Sequence, residues 1–186
     1  QVLLVRGRDE LSFYLVAGRQ IITREKLEIL ALGTDTDLPS GLPADETIEL
    51  AARSGALPVL NWAPGKWWFR RGKVVSELIR QNQNSRNLSI CDISLRPQGL
   101  PRPRRMKTAV AKGLKVLAGS DPLPLPTEEN LIGSYGIALN GEFEESRPLR
   151  SFFNLLNQPQ AVPLIVGKRS SVFQTLFRLA RLNLRS

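Results

Sequence analysis

The sequence predicts an α/β fold, a sheet of parallel strands with helices covering it. Short apolar runs at Leu57–Trp62, Leu88–Ser94 and Leu114–Ala118 alternate with stretches of helical spacing. These runs are almost continuously apolar, as strands buried on both faces are. The segments joining them are of ordinary length. A closed α/β barrel and an open doubly wound sheet both satisfy this pattern.

The elements follow in chain order. Phe13–Ala17 reads as a strand, and Gln20–Thr23 is a second short β-branched run after Gly18. Leu27–Leu32 is a third, ending at Gly33. Thr34–Leu42 carries the Asp, Pro and Gly of a polar loop. Pro43 followed by Ala-Asp-Glu opens a helix with acids in its first turn, and Gly55 sits where a terminal glycine stops one. After the Leu57–Trp62 strand, Val74, Val75, Leu78 and Ile79 mark an amphipathic helix. Leu88–Ser94 is a strand, Met106–Ala111 a helix stopped by Gly113, and Leu114–Ala118 a strand. Beyond it, Pro122, Pro124 and Pro126 exclude a continuing sheet. Tyr135–Leu139 and Val162–Val166 are short strands, Pro148–Leu156 is a helix, and Ser170–Leu184 is an amphipathic helix with Phe173, Leu176, Phe177, Ala180 and Leu184 on one face. No internal repeat of about 20–50 residues is present.

A length of 186 residues fits one domain, with a core over about 13–140 and a helical extension over about 146–186. The single cysteine, Cys91, excludes an internal disulfide and a multi-cysteine zinc site, and its apolar surroundings suit a buried, inert thiol. With no histidine in the chain, Cys–His and Ser–His catalysis are excluded. No apolar stretch approaches the ~20 residues of a membrane span, and a cytoplasmic location is the default expectation. The chain starts at Gln1 rather than Met, which suggests processing or a fragment.

Asp121 is the first candidate for chemistry. It follows a strand and Gly119-Ser120, and functional groups of α/β folds collect at the carboxyl ends of strands. The competing role is a loop-bonding or helix-capping aspartate. The net charge is +9, unevenly spread. Between Asp92 and Asp121 lie no acids and seven bases: Arg96, Arg102, Arg104, Arg105, Lys107, Lys112 and Lys115. This is either a solvated face or a footprint for phosphates or nucleic acid. All three tryptophans, Trp62, Trp67 and Trp68, fall in the loop 61–73, interleaved with Lys66, Arg70, Arg71 and Lys73. Such a loop either stacks and pairs with a ligand or packs over the fold. No Walker-type phosphate loop is present.

The order of these signals, "VAGRQIIT", "LEILALG", "ALPVLNWAPG", "LSICDISLRP" and "GLKVLAGSDPL", resembles the PHP family, the polymerase and histidinol phosphatase domains. The resemblance spans about residues 17–136. It implies a distorted (β/α) barrel that binds up to three divalent metals and cleaves phosphoesters. It places Gln20 where the family has a glutamate, Glu28 near a histidine position, Ala63 or Trp62 at another histidine position, Asp92 at a strand glutamate, and Gly119-Ser120-Asp121-Pro122-Leu123 at the family's Gly-Ser-Asp-x-His. The aspartate is kept and the histidine is Leu123. The family's amino-terminal His-x-His has no counterpart.

Asp121, Asp92 and Glu28 are thus the implied metal ligands, with Asp121 and Asp92 the implied catalytic groups. Such a carboxylate set suits one Mg²⁺ or Mn²⁺ rather than Zn²⁺, and the alternative is no cofactor. The simpler role for Asp92 is a buried partner of an arginine such as Arg96. Asn61, Trp62, Lys66, Arg70, Arg71 and Arg96 are the candidate ligand-binding residues. Three functions follow: a degenerate, non-catalytic domain binding an anionic or phosphorylated small molecule; a metal-dependent phosphoesterase with a reduced carboxylate site; and a basic nucleic-acid-binding module.

Overall fold

Strand β3 (Gly18–Ile22) turns straight back into β4 (Glu28–Leu32), and that hairpin decides the architecture. The computed structural model describes residues 1–6, 12–85 and 87–184. Residues 23–27 form the turn: Thr23 N–H donates to Leu27 O at 2.9 Å, and Leu27 N–H donates to Thr23 Oγ1 at 3.2 Å. A parallel pairing needs a crossover of about a dozen residues or more, so a turn this short forces antiparallel strands.

Helix α1 (Ala44–Arg53) then leads into β5 (Leu57–Asn61), which pairs antiparallel with β4. From there the expected alternation holds. Helix α2 (Phe69–Gln81) joins β5 to β6 (Ser89–Ile93), and α3 (Arg104–Ala111) joins β6 to β7 (Val116–Gly119), both pairings parallel. The central sheet has the order β3-β4-β5-β6-β7. It is mixed and open among the described residues, which corrects the expected PHP-like barrel of parallel strands. The run "GRQIITREKLEILAL" reads as two apolar strands, and hydrophobic content does not encode strand direction; the short turn does.

Two small antiparallel sheets flank it. Strand β1 (Val2–Arg6) pairs with β2 (Ser12–Val16). A 3₁₀ turn at Glu128–Leu131 leads to β8 (Tyr135–Ala138), which pairs with β9 (Leu164–Gly167). Helices α4 (Pro148–Asn157) and α5 (Val172–Asn183) complete the chain.

Each helix has a local cause. Glu25 reaches from the β3–β4 turn to accept the Ala44 N–H at 3.1 Å, which satisfies one free donor at the start of α1. Gly55, at φ 78°, lets the chain leave α1 through a backbone shape that costs other residues energy. Ile48, Val75, Leu78, Ile79 and Met106 bury one stripe of α1, α2 and α3 against Leu60, Ile90 and Val116.

Register and two-residue alternation sort the sheet's side chains. Glu28, Leu30, Val59, Asn61, Ser89, Cys91 and Leu117 share one face. Ile29, Ala31, Leu60, Ile90, Asp92 and Val116 share the other. Because β4 is antiparallel, its first residue, Glu28, lies at the same sheet end as the last residues of β5, β6 and β7.

Candidate functional site

That sheet end gathers Glu28, Asn61, Lys66 and Asp121. Asn61 ends β5 and is 2% exposed. Its Nδ2 donates to Glu28 Oε2 at 3.1 Å, and Lys66 Nζ donates to Glu28 Oε1. Asp121 stands just past β7 at φ 45°, a left-handed shape uncommon away from glycine. Burial first, and then the Glu28 charge, push its carboxyl above the usual range; Asn61, Arg178 and Lys66 pull it partly back. The buried Asn61 Oδ1 has no partner among the described residues. The cluster therefore gathers two carboxylates, the Asn61 amide and one ammonium.

Asp92 belongs to a second cluster, on the opposite face. Arg96 grips it with two donors, Nε to Oδ1 at 2.7 Å and Nη2 to Oδ2 at 2.5 Å. Tyr135 Oη donates to Oδ2 at 3.0 Å. Burial and the Asp92 charge push the Tyr135 hydroxyl up to about 12, so it stays a proton donor. Asp92 is fully buried with both oxygens occupied, the arrangement expected of an arginine partner. Among the described residues, no group of three or more His, Cys, Asp or Glu side chains is placed to hold a metal.

The tryptophan loop divides. Trp62 and Trp67 are buried, and Trp67 Nε1 donates to Asn61 O at 3.0 Å, which fixes the loop to the end of β5. Trp68 and Phe69 are exposed. Arg71 Nη2 donates to Gly65 O at 3.2 Å, and Arg70 is exposed. Lys66, Arg71 and Arg96 are thus held by partners within the fold. Gln20 lies exposed on edge strand β3 opposite Leu30, Ala63 is half-buried, and Leu123 packs on the core.

The basic run is also partly internal. Arg105 bridges α3 to α2, donating to Gly72 O at 2.7 Å and Trp67 O at 3.1 Å. A Cβ at residue 72 would come within 2.6 Å of that guanidinium and of the Trp67 backbone oxygen, which cannot swing aside as a side chain does. Lys112 donates to Gln83 Oε1, and Lys115 reaches the carbonyls of Leu156 and Gln158.

Three cations with no ion pair among the described residues, Arg102, Lys168 and Arg169, meet elsewhere. A cleft of about 610 Å³ opens between the loop after β6 and the end of β9, lined by Arg96, Gln98, Arg102, Tyr135, Lys168 and Arg169 among others. Arg169 Nη1 donates to Pro97 O and Leu100 O, both at 3.0 Å, which holds the two walls together. Burial and then the Arg96 charge lower the Arg169 pKa, with Arg102 adding to the effect. Among the described residues, no lining residue is acidic. Asp92 lies behind Arg96 as its ion-pair partner, and its charge partly offsets the lowering at Arg169. Lys168 and Arg169 were not among the expected residues. Gly167-Lys168-Arg169 after an apolar run is the only local signal of them, and nothing in it points to Arg102, some 66 residues away.

Compared with known proteins, the chain matches no family model and no curated protein.

Proposed function

We propose that this protein is a non-hydrolytic binding module for an anionic, phosphate-bearing small molecule. The observation that carries the reading is the cleft in which Arg102, Lys168 and Arg169 meet with no carboxylate among its described lining residues. Guanidinium and ammonium groups crowded in a concave, partly desolvated place favour a multiply charged oxyanion. Of the expected anion ligands, Arg96 lines this cleft. Lys66 is answered by Glu28, which makes the sheet end a poor place for an anion.

Thermal shift with inorganic pyrophosphate tests the reading. Pyrophosphate raises the melting temperature of the wild type, through binding to the native state, and does so far less in the Arg102→Met/Lys168→Met double variant. An equal shift in both proteins, or none in either, refutes it. Steeply salt-dependent binding to oligonucleotides that outcompetes pyrophosphate points to the nucleic-acid module instead.

A second reading, a divalent-metal phosphoesterase with a reduced site, draws on the gathering of Glu28, Asn61 and Asp121 at the sheet end, where Asn61 Oδ1 is buried with no partner among the described residues. Hard cations take such oxygen sets, and Mg²⁺ or Mn²⁺ suits this one. In this reading Glu28, Asn61 and Asp121 hold the ion, and Lys66 has to move aside. A melting-temperature rise with Mn²⁺ that disappears in Asp121→Asn supports it, and no rise with either ion removes it.

A further inference from the structure

Helix α5 is built inside out. Its inward side buries Thr175 and Arg178. Arg178 Nη2 donates to Glu128 Oε2 at 2.5 Å, and Nη1 donates to Ser170 Oγ at 2.9 Å and Ser94 Oγ at 3.2 Å. Leu179 packs on the core, but four large apolar side chains face the other way. Phe173 is 85% exposed, Leu176 61%, Phe177 62% and Leu184 86%. An ordinary surface helix does the reverse. The orientation is fixed, because the buried Arg178–Glu128 pair anchors one side and a capping box starts the helix. There Ser171 Oγ accepts from Gln174 N–H at 3.2 Å, and Gln174 Oε1 accepts from Ser171 N–H at 2.8 Å.

Charge says what covers this face. Residues 146–184 contain no acid and six bases, Arg147, Arg150, Lys168, Arg169, Arg178 and Arg181. Lys168, Arg169 and Arg181 line a cleft of about 440 Å³ together with Phe177. Its one carboxylate, Glu128, is already paired with Arg178. Arg181 lies over the Phe177 ring, 5.5 Å from its centre. Cations thus border the apolar side chains. Phe173, Leu176 and Leu184 protrude, and Phe177 stands beside the cations of that cleft, so the face suits insertion into a soft phase better than receipt of a peptide. Aromatic and leucine side chains flanked by bases, on a helix too short to span, are the composition of a helix that lies in a bilayer interface.

We infer that α5 docks this protein on the surface of a membrane rich in anionic phospholipid, with Phe173, Leu176 and Phe177 in the acyl boundary and Lys168, Arg169 and Arg181 among the headgroups. This does not rest on the phosphate-ligand reading.

The test is co-sedimentation with vesicles of phosphatidylcholine alone and of phosphatidylcholine with phosphatidylserine. The wild type binds only the mixed vesicles, and binding falls with salt. Phe173→Ser/Phe177→Ser, at exposed positions and checked for an unchanged circular dichroism spectrum, lowers partitioning by roughly tenfold or more. Arg181→Glu weakens it as well, whereas Lys73→Met, on α2, does not. The inference fails if both vesicle types bind equally or not at all, or if the phenylalanine variant binds as the wild type does. It also fails if light scattering shows a dimer that the phenylalanine variant abolishes while vesicles are ignored.

Discussion

Arg96 closes on Asp92 through both of its facing donors, at 2.7 Å and 2.5 Å, inside the core and on the sheet face opposite Asn61. The pair locks the loop after β6 to the strand it leaves, because Arg96 Nη1 also donates to Leu100 O. One wall of the cationic cleft is thus set from within the core.

Breaking that pair from one side is expected to be costly. Arg96→Met leaves Asp92 buried and charged, and should lower stability by about 3–5 kcal/mol. The companion Asp92→Leu/Arg96→Met replaces both charges and should recover part of the loss. Urea denaturation checks both, with unchanged slopes needed for a clean comparison.

Lys66 supplies the counter-charge at the sheet end. Lys66→Met should leave Glu28 and Asp121 facing each other without it, and raise the Asp121 pKa further. The variant should then gain more melting temperature from Mn²⁺ than the wild type does. Equal responses of the two proteins would show that the ammonium does not govern cation access.

Asp121 and Glu128 should leave opposite marks on the pH dependence of stability. The Asp121 carboxyl is raised in the native state, so between its ordinary value of 3.8 and the raised native value the native state holds the extra proton. Stability from this group therefore falls as pH rises through that window. Asp121→Asn should be more stable than the wild type above the window, with the gap growing as pH climbs through it. Burial pushes Glu128 up, but Arg178 and the Leu123 N–H overcome it and leave its pKa below 4.5. Its contribution is present above 4.5 and is lost as pH falls through the lowered native value. Melting temperatures of the wild type, Asp121→Asn and Glu128→Gln across the acid range test both signs.

Cys91 should be silent in the native protein. Burial, then the charges of Asp121 and Asp92, push its thiol up to about 12. Thiolate is the reactive form, so labelling by a disulfide reagent should be negligible until the chain opens and complete in denaturant. Rapid labelling under native conditions would show that the sheet end opens readily.

How much of this was legible in the sequence depended on distance along the chain. The helices around Ile48 and Val75 and the strands through Leu60, Ile90 and Leu117 followed from periodicity and from Gly55 and Gly113 as stops. The Asp92–Arg96 pair lies four residues apart and was foreseeable from a buried carboxylate in a base-rich loop. Strand direction was not legible in hydrophobicity, because Gln20–Ile22 and Glu28–Leu32 are equally apolar either way; its signal was the gap of three residues between Thr23 and Leu27, too short for a parallel crossover. Nor was the meeting of Arg102 with Lys168 and Arg169, which depends on where β9 lands. The inward turn of α5 was hidden because its apolar stripe is what any packed helix would carry; only Glu128, fifty residues earlier, claims Arg178 for the interior.

The hairpin at residues 23–27 has one more consequence. Glu28 stands at the first position of β4, and its neighbour across the sheet is set by pairing rather than by the loop that precedes it. Side chains alternate between faces, so sliding β4 by a single residue against β5 would carry Glu28 away from Asn61 altogether. Its contact with Asn61 is therefore a gauge of strand alignment. Insertions in the turn should leave that gauge unmoved, whereas a single residue added between Ile29 and Leu32 should break it. Length variation is tolerable on one side of Glu28 and forbidden on the other.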